Sequence, residues 1–154
     1  MTKLCILSDS HGREVWVRAL AERLKAEKFD AIIHLGDGWG DVKWLKKQTD
    51  VPVYAVCGNC DWLSDAPEEL RLSFEGVRVL AVHGDRYDVK FDPSTLSYYA
   101  EDAGAQLALF GHTHQPFAGY VGSVLMVNPG ALKDGRYCTV EIRNGQIVPY
   151  LKEL

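Results

Sequence analysis

Seven side chains that can bind a metal ion each follow a short apolar segment of this chain. They are two aspartates, one asparagine and four histidines: Asp9, His11, Asp37, Asn59, His83, His112 and His114. This many imidazole nitrogens is unusual for calcium or magnesium and suits manganese, iron, zinc, nickel or cobalt. Seven ligands also exceed what one ion can accept while it keeps a position open for water. The set therefore predicts two ions that share a bridging carboxylate.

A pair of such ions favours one kind of chemistry. Two metal ions about 3.5–4 Å apart hold both the attacking and the leaving oxygen of an in-line displacement at phosphorus. Two divalent cations set against Asp9 and Asp37 leave about two positive charges, which suits an anionic phosphoester and lowers the pKa of a bridging water. We therefore predict hydrolysis by a bridging hydroxide rather than by a side-chain nucleophile.

The elements that must position these residues can be outlined from the apolar pattern. The first third of the chain predicts a βαβαβ unit with a parallel sheet: strands at 3–7, 30–35 and 51–57, with helices at 13–28 and 41–48. The rest predicts a hairpin at 69–84 that turns at Glu75-Gly76, a helix at 93–104, and strands at 105–110, 123–128, 136–144 and 146–154, with a turn at Asn144-Gly145. This pattern indicates an α/β fold with one mixed sheet or two packed sheets.

The positions of the seven side chains predict that they converge. In an α/β sheet the carboxyl ends of the parallel strands face one crevice, so residues distant in sequence meet there. In an extended chain, residues i and i+2 also point to the same side. We therefore expect Asp9 with His11, and His112 with His114, to enter one cavity in pairs.

Five short motifs carry a resemblance to a known family: D-x-H at 9–11, G-D at 36–37, G-N-C-D at 58–61, H-G at 83–84 and G-H-T-H at 111–114. In order and spacing they resemble the signature of the calcineurin-like metallophosphoesterases, above all their small single-domain bacterial and archaeal phosphodiesterases. The resemblance spans residue 9 to about residue 130. It implies an α/β fold in which two mixed β-sheets, flanked by helices, form an α/β/β/α sandwich with a dinuclear metal site.

The resemblance also implies a role for each matching residue. One ion would be held by Asp9, His11 and His114, and the other by Asn59, His83 and His112, with Asp37 as the bridge. His112 and His114 would also stabilise the charge that develops during catalysis. The two ions are expected to be manganese first, with nickel, iron, zinc and cobalt as alternatives.

Two positions depart from the pattern of the wider family. Most members carry a histidine after the asparagine, placed to stabilise the transition state or to protonate the leaving oxygen, whereas this chain has Cys60, as the small phosphodiesterases do. A thiol with an ordinary pKa of about 8.5 stabilises charge less well than imidazolium, so diesters with good leaving groups should be favoured. The other position is Ala131, where related sequences more often have a serine.

Composition limits the remaining choices. We expect residues 1–154 to form one metallophosphoesterase domain, because this length can bury a core unaided. The net charge of −4 and the dispersed lysines and arginines argue against a nucleic-acid polymer as partner.

No apolar run reaches the roughly 20 residues of a membrane span, and no leader pattern is present, so a cytoplasmic protein with thiol cysteines is expected. An apolar hairpin surface would allow a homo-oligomer.

Several other interpretations stay open at this level. The leading prediction is a phosphodiesterase of small, nucleotide-like substrates. The alternatives are a non-catalytic scaffold similar to the retromer subunit of this fold, a phosphomonoesterase, and a dinucleotide pyrophosphohydrolase. Cys57 and Cys60 form a C-x-x-C, but no second C-x-x-C follows, so a redox pair or half of a zinc site is disfavoured and Cys57 is predicted to be a buried strand residue. His34 is predicted to be a core histidine. Three aromatic residues in predicted loops, either packing or stacking on substrate, are Trp39, Trp62 and Tyr87.

Overall fold

Two five-stranded β-sheets form the framework of the protein in a computed structural model that describes residues 1–154. The first sheet has the strand order β10-β9-β1-β2-β3. Strands β1, β2 and β3 are parallel to one another, and β9 and β10 run antiparallel beside them. The bounds of these strands are β1 Thr2–Leu7, β2 Ala31–His34, β3 Val53–Ala55, β9 Arg136–Arg143 and β10 Gln146–Glu153.

The second sheet has the strand order β4-β5-β6-β8-β7. Its centre is parallel, because β5, β6 and β8 run in one direction, while β4 and β7 are antiparallel edge strands. The bounds are β4 Glu69–Phe74, β5 Val77–Val82, β6 Leu107–Leu109, β7 Phe117–Val121 and β8 Val124–Asn128. Both sheets are therefore mixed, as the resemblance implied.

Three helices cover the outer faces of the sheets: α1 Glu14–Ala26, α2 Trp39–Gln48 and α3 Ser94–Asp102. Alternation along β1 explains the layering, since successive side chains of a strand point to opposite faces. Leu4 and Ile6 are buried between the two sheets, whereas Cys5 and Leu7 pack with α1 and α2. Helix α3 packs on the second sheet through a separate apolar cluster that includes Leu96. The α/β/β/α sandwich is thus confirmed.

The predicted turns and strands can be compared directly with the structure. The βαβαβ unit and both hairpins are present, and Glu75-Gly76 and Asn144-Gly145 have the positive φ angles that a type I′ turn requires. Strand β7 was not predicted. It lies at a sheet edge, contains Gly119 and leaves Phe117 and Tyr120 exposed, so it has no continuous apolar run to reveal it.

The carboxyl ends of the parallel strands of both sheets meet at one end of the sandwich. The ends of β2 and β5 are joined by a hydrogen bond from the His83 ring to the Leu35 carbonyl, with an Nδ1–O distance of 2.7 Å. The ends of β6 and β1 are joined by the His112 backbone N–H, which donates to the Asp9 carboxylate at 3.0 Å. All predicted ligands lie in the loops at this end. None of the three helices is long and apolar enough to cross a membrane.

Candidate metal centre

The structure brings all seven predicted ligands together in two neighbouring groups. Asp9, His11 and His114 present one ligand atom each within 4.8 Å of one another. The same holds for Asp37, His83 and His112, and the Asn59 side chain joins this second group through its contact with His83. We call them the Asp9 group and the His83 group. These two groups are compatible with the two ions that the family resemblance implies, and a third, overlapping group contains His11, Asp37 and Cys60.

The Asp9 group combines a buried carboxylate with two half-exposed imidazoles. Asp9 is fully buried, and its Oδ1 atom lies 3.1 Å from His114 Nε2 and 3.6 Å from His11 Nε2. Its other oxygen, Oδ2, accepts hydrogen bonds from the Ser8 hydroxyl at 2.5 Å and from the His112 backbone N–H at 3.0 Å. The carboxylate is thus held in place through Oδ2, and Oδ1 faces the two imidazoles.

The His83 group contains a buried imidazole of defined orientation, His83, beside the buried Asp37, whereas His112 is half-buried and Asn59 is exposed. A carbonyl oxygen can only accept, so the contact to Leu35 places the ring proton of neutral His83 on Nδ1 and leaves a lone pair on Nε2. That Nε2 lies 2.8 Å from Asn59 Oδ1, 3.2 Å from His112 Nδ1 and 3.3 Å from an Asp37 carboxylate oxygen. Atoms that coordinate one ion at about 2.1 Å lie about 3 Å apart, as these do.

Asp37 connects the two groups. Its Oδ2 atom lies 3.3 Å from His83 Nε2 and 3.8 Å from His11 Nε2, so one carboxylate reaches both. Its Oδ1 atom accepts a hydrogen bond from the backbone N–H of Cys60 at 2.8 Å. Asp37 is buried, and its reach to an imidazole of each group makes it the residue best placed to bridge two cations.

The charges and lone pairs of the candidate ligands indicate whether a cation fits between them. Lone pairs of carboxylate, amide and imidazole atoms face one another at close range, and such an arrangement is unfavourable unless a positive charge lies between them. Burial acts to lower the pKa of His83, yet its hydrogen bond to Asp37 and the charges of Asp9 and Asp37 raise it. Burial likewise acts to raise the pKa of Asp37, but His83 holds it well below its ordinary value. The donor set therefore fits divalent transition-metal ions.

The backbone at these positions is not extended, which corrects one step of the sequence reasoning. Five of the seven residues have left-handed φ angles between 48° and 68°: Asp9, His11, Asp37, His112 and His114. The i and i+2 rule for strands therefore does not explain why they converge. Non-glycine residues in this region are costly and cluster at functional sites, where the surrounding structure holds them.

Asp61 supplies part of that support and was not identified as important from the sequence. Its two carboxylate oxygens accept four backbone N–H groups at 2.8–3.0 Å, from Asp37, Gly38, Trp39 and Gly58. One side chain thus ties the loop after β2 to the loop after β3. The last position of the G-N-C-D motif was the available signal, but three of its four partners lie more than 20 residues away, which spacing does not reveal.

Asn128 has a comparable role beneath the G-H-T-H loop. The buried amide donates to the Gly111 carbonyl at 3.1 Å and to the Thr113 hydroxyl at 2.9 Å, and it accepts from the Gly130 N–H at 2.9 Å. It therefore fixes the segment that carries His112 and His114. The neighbouring Ala131 is fully buried, so the alanine at this position packs inside the protein.

Gly58 shows why a glycine is needed at one strand end. A Cβ atom placed there would lie 2.2 Å from the Asp37 carboxylate oxygen and 2.4 Å from the Asp37 backbone nitrogen. Real side chains do not approach backbone this closely, so any other residue would displace the loop after β2. The glycine lets the two loops approach, rather than only permitting a turn.

The other residues discussed from the sequence are His34, Cys60 and Cys57, and each lies in a different environment. His34 is buried outside both groups, with Nδ1 accepting from the Gly36 N–H at 3.1 Å and Nε2 2.9 Å from the Ser10 hydroxyl, as expected of a core histidine. Cys60 is an exposed free thiol beside His11 and Asp37. Partial burial, followed by the charge of Asp37, raises its pKa. Cys57 is also a free thiol, but it is half-buried and lies after β3, which ends at Ala55, so the prediction of a buried strand residue is wrong.

The fold and this arrangement of ligands define a protein of the metallophosphoesterase class. The model of the calcineurin-like phosphoesterase superfamily domain matches residues 2–145. The chain therefore belongs to the calcineurin-like phosphoesterase superfamily.

Individual relatives agree with this assignment. A probable metallophosphoesterase of Bacillus subtilis is 34% identical over 128 residues, which cover 83% of this chain and 73% of that protein. A phosphodiesterase of Methanocaldococcus jannaschii is 25% identical over 83% of this chain and 82% of its own length. Among solved structures, Vps29 of Chaetomium thermophilum superimposes with a TM-score of 0.85 at 14% identity, covering all of this chain and 92% of the other. This last likeness concerns the fold alone.

Proposed function

We propose that this phosphoesterase is a phosphodiesterase that acts on small, nucleotide-like substrates with two divalent metal ions per chain. The observation that carries the proposal is the pair of ligand groups joined by the Asp37 carboxylate, which lies within 4 Å of an imidazole nitrogen in each group. When bound, two such ions would supply Lewis acidity at the phosphoryl oxygens and a water of lowered pKa. Both fit hydrolysis of an anionic ester.

The ligand roles proposed for this chain follow the two groups. Asp9, His11 and His114 would hold one ion, and Asn59, His83 and His112 the other, with Asp37 bridging. Manganese is the first choice because nitrogen and oxygen donors are mixed, and nickel, iron, zinc and cobalt suit the same set. The two half-exposed imidazoles of the Asp9 group lie where a substrate enters.

Three residues are proposed to act on the reacting atoms. The His112 ring contacts His83 and the His114 ring contacts Asp9, and both would stabilise negative charge on the phosphoryl oxygens. The Cys60 thiol is exposed beside Asp37, and its raised pKa keeps it protonated at neutral pH, so it is proposed to donate a proton to the leaving oxygen. A thiol is a weak donor for this purpose, which favours esters with good leaving groups.

The surroundings of the centre favour a small substrate over a polymer. The chain has a net charge of −4, and a nucleic-acid backbone binds through clusters of lysine and arginine. A cytoplasmic location is part of the same proposal.

A scaffold without catalysis is the second candidate, since the fold is also that of Vps29. All seven candidate ligands are present in this chain and converge. A protein that only binds a partner needs no such set, so catalysis is the better-supported proposal.

The test is an assay of chelator-treated protein to which Mn2+ is restored. Bis-p-nitrophenyl phosphate and p-nitrophenyl phosphate would be compared, with Asp37→Ala as the inactive variant and Asp50→Ala, an exposed carboxylate at the end of α2, as the matched control. Metal-dependent hydrolysis of the diester that exceeds that of the monoester, and that only Asp37→Ala abolishes, supports the proposal. Faster monoester hydrolysis would indicate a phosphomonoesterase. Tightly bound metal without turnover of either compound would indicate the scaffold.

A further inference from the structure

An open cavity beside the candidate metal centre is walled by tryptophan side chains that hydrolysis itself does not require. Its volume is about 420 Å3, within the range of about 300–1,000 Å3 that is usual for small-molecule pockets. One side is formed by residues of the centre and the other by the start of α2 and the loop after β3: His11, Asp37 and Cys60, then Trp39, Asp41 and Trp62. We call this cavity the tryptophan pocket.

Trp62 does not belong to the protein core. Its side chain is 84% exposed, and the next residue, Leu63, is 99% exposed. A large aromatic ring left in water gives up the stabilisation that burial would bring, so packing does not account for its presence. Trp39 is half-buried, with Lys46 Nζ lying 5.8 Å from the centre of its ring. Stacking on a bound planar group would use the exposed surface of Trp62.

The pocket is fixed relative to the candidate metal centre. Asp61 accepts a hydrogen bond from the Trp39 backbone N–H at 3.0 Å and one from the Asp37 N–H at 2.8 Å, and it directly precedes Trp62. That carboxylate therefore ties the Trp39 wall to the bridging residue, and Trp62 is joined to it through the chain alone. A group that stacks in the pocket would be held at a set distance from a phosphate at the centre.

The charge of the pocket indicates what kind of group it takes. No lysine or arginine lines it, and its carboxylates Asp41 and Asp61 accept backbone N–H groups, Asp41 from Gly12 at 3.0 Å. A second phosphate would find no cation among the lining residues. An adjacent cavity of about 270 Å3 offers none either, since its only cationic side chain, Arg86, is paired with Glu68. A neutral planar ring fits the tryptophan pocket better than an extended polyphosphate.

We propose that the tryptophan pocket binds the base of a nucleoside carried by the phosphodiester, with Trp62 stacking on it, and that Trp62 is therefore a specificity-determining residue. The placement of the phosphate at the neighbouring centre rests on the proposed function. Stacking on an aromatic side chain tolerates any base, because every base has a π-face. The predicted substrate class is thus nucleoside phosphodiesters without a strict choice of base.

Calorimetric binding of three compounds to the Mn2+-supplemented protein separates the two parts of the site. Ribose 5-phosphate reports the phosphate position alone, adenosine reports the pocket alone, and adenosine 5′-monophosphate reports both. The variants are Trp62→Ala, Trp62→Phe, which keeps a stacking ring, and Tyr98→Ala, which removes an aromatic side chain that is 68% exposed on α3.

We expect adenosine 5′-monophosphate to bind at least about tenfold more tightly than ribose 5-phosphate, as one stacked base provides. Trp62→Ala should remove this advantage without changing the affinity for ribose 5-phosphate, while Trp62→Phe and Tyr98→Ala retain it. Equal affinities in the unmodified protein, or an advantage that survives in Trp62→Ala, would overturn the proposal. If ribose 5-phosphate does not bind and no diester is hydrolysed, the proposed function fails. In that case, adenosine binding that Trp62→Ala abolishes would still support base binding in the tryptophan pocket. If adenosine does not bind either, the proposal for the pocket is also overturned.

Discussion

The two ligand groups have similar donors but different support. In the His83 group, the His83 ring is 1% exposed and its far nitrogen is bonded to the Leu35 carbonyl. In the Asp9 group, the side chains of His11 and His114 are 30% and 31% exposed, and the Nδ1 atom of neither ring has a hydrogen-bond partner. Of the four imidazoles, only that of His83 is oriented by a hydrogen bond to a backbone carbonyl before any ion binds.

This difference indicates that the two groups bind their ions with different affinities. A ligand whose orientation is fixed by a second hydrogen bond binds metal more tightly, by about 10–100-fold in comparable sites. The His83 group should therefore hold its ion first, and the Asp9 group should bind the second ion more weakly. The open side of the weaker site is also the side on which the tryptophan pocket lies, since His11 lines it.

Substitution of one imidazole in each group should give the largest measurable difference between the two groups. His83→Ala should lower diesterase activity by about a thousandfold and leave the buried Leu35 carbonyl unpaired, at a cost of about 2–4 kcal/mol in the free energy of unfolding. His11→Ala should lower activity strongly but change stability by less than about 1 kcal/mol, because its side chain is half-exposed. Urea unfolding of the metal-free proteins, beside the activity assay, would measure both. Equal losses in the free energy of unfolding would show that the two groups do not differ in structural support.

Loss of the Asp61 support should weaken the His83 group from outside it. Asp61→Asn puts an amide NH2 where backbone N–H groups need an acceptor, so the loops that carry Asp37 and Asn59 should separate. We expect metal affinity and activity to fall by about 10–100-fold. Asp65→Asn, an exposed carboxylate in the same loop, is the control. Asp61 would have no positioning role if both variants behaved alike in a metal titration.

The sequence predicted what the strands determine and missed what the loops determine. Each of the seven candidate ligands could be proposed because it follows an apolar segment, and that pattern is local. The left-handed backbone at His11 and His114 and three of the four N–H partners of Asp61 depend on contacts between distant loops, so no spacing rule reports them. The exposure of Trp62 likewise required the structure, because apolar character alone fits both packing and stacking.

His34 allows a pH test of the support beneath the Asp9 group, since it contacts Ser10 between Asp9 and His11. Burial lowers its pKa to about 4 from the ordinary 6.5. The unfolded chain therefore takes up a proton between pH 6.5 and 4 that the folded chain refuses, and stability falls as the pH drops through that window. From pH 7 to pH 5 the loss should be about 2 kcal/mol. In His34→Gln, the free energy of unfolding measured with urea should fall by about 2 kcal/mol less between pH 7 and pH 5 than in the unmodified protein. An equal fall in the two proteins would contradict the lowered pKa of His34.

Cys60 should show the smallest effect with activated substrates. Its backbone N–H, which substitution leaves intact, is what contacts Asp37, at 2.8 Å. Cys60→Ala should therefore change hydrolysis of bis-p-nitrophenyl phosphate by less than about threefold, because this leaving group needs no proton. With an alkyl leaving group the loss should reach about tenfold. A loss that does not depend on the leaving group would rule out the proposed proton transfer.

The most direct measurement is a competitive chelator titration of the metal-free protein with Mn2+, together with His83→Ala and His11→Ala. Two ions per chain with affinities that differ by about 10–100-fold are expected. The tighter binding should be missing in His83→Ala and the weaker in His11→Ala, which alter the two groups separately. A single ion per chain, or two ions whose affinities respond equally to both substitutions, would contradict the division of the centre into two unequal groups joined by Asp37.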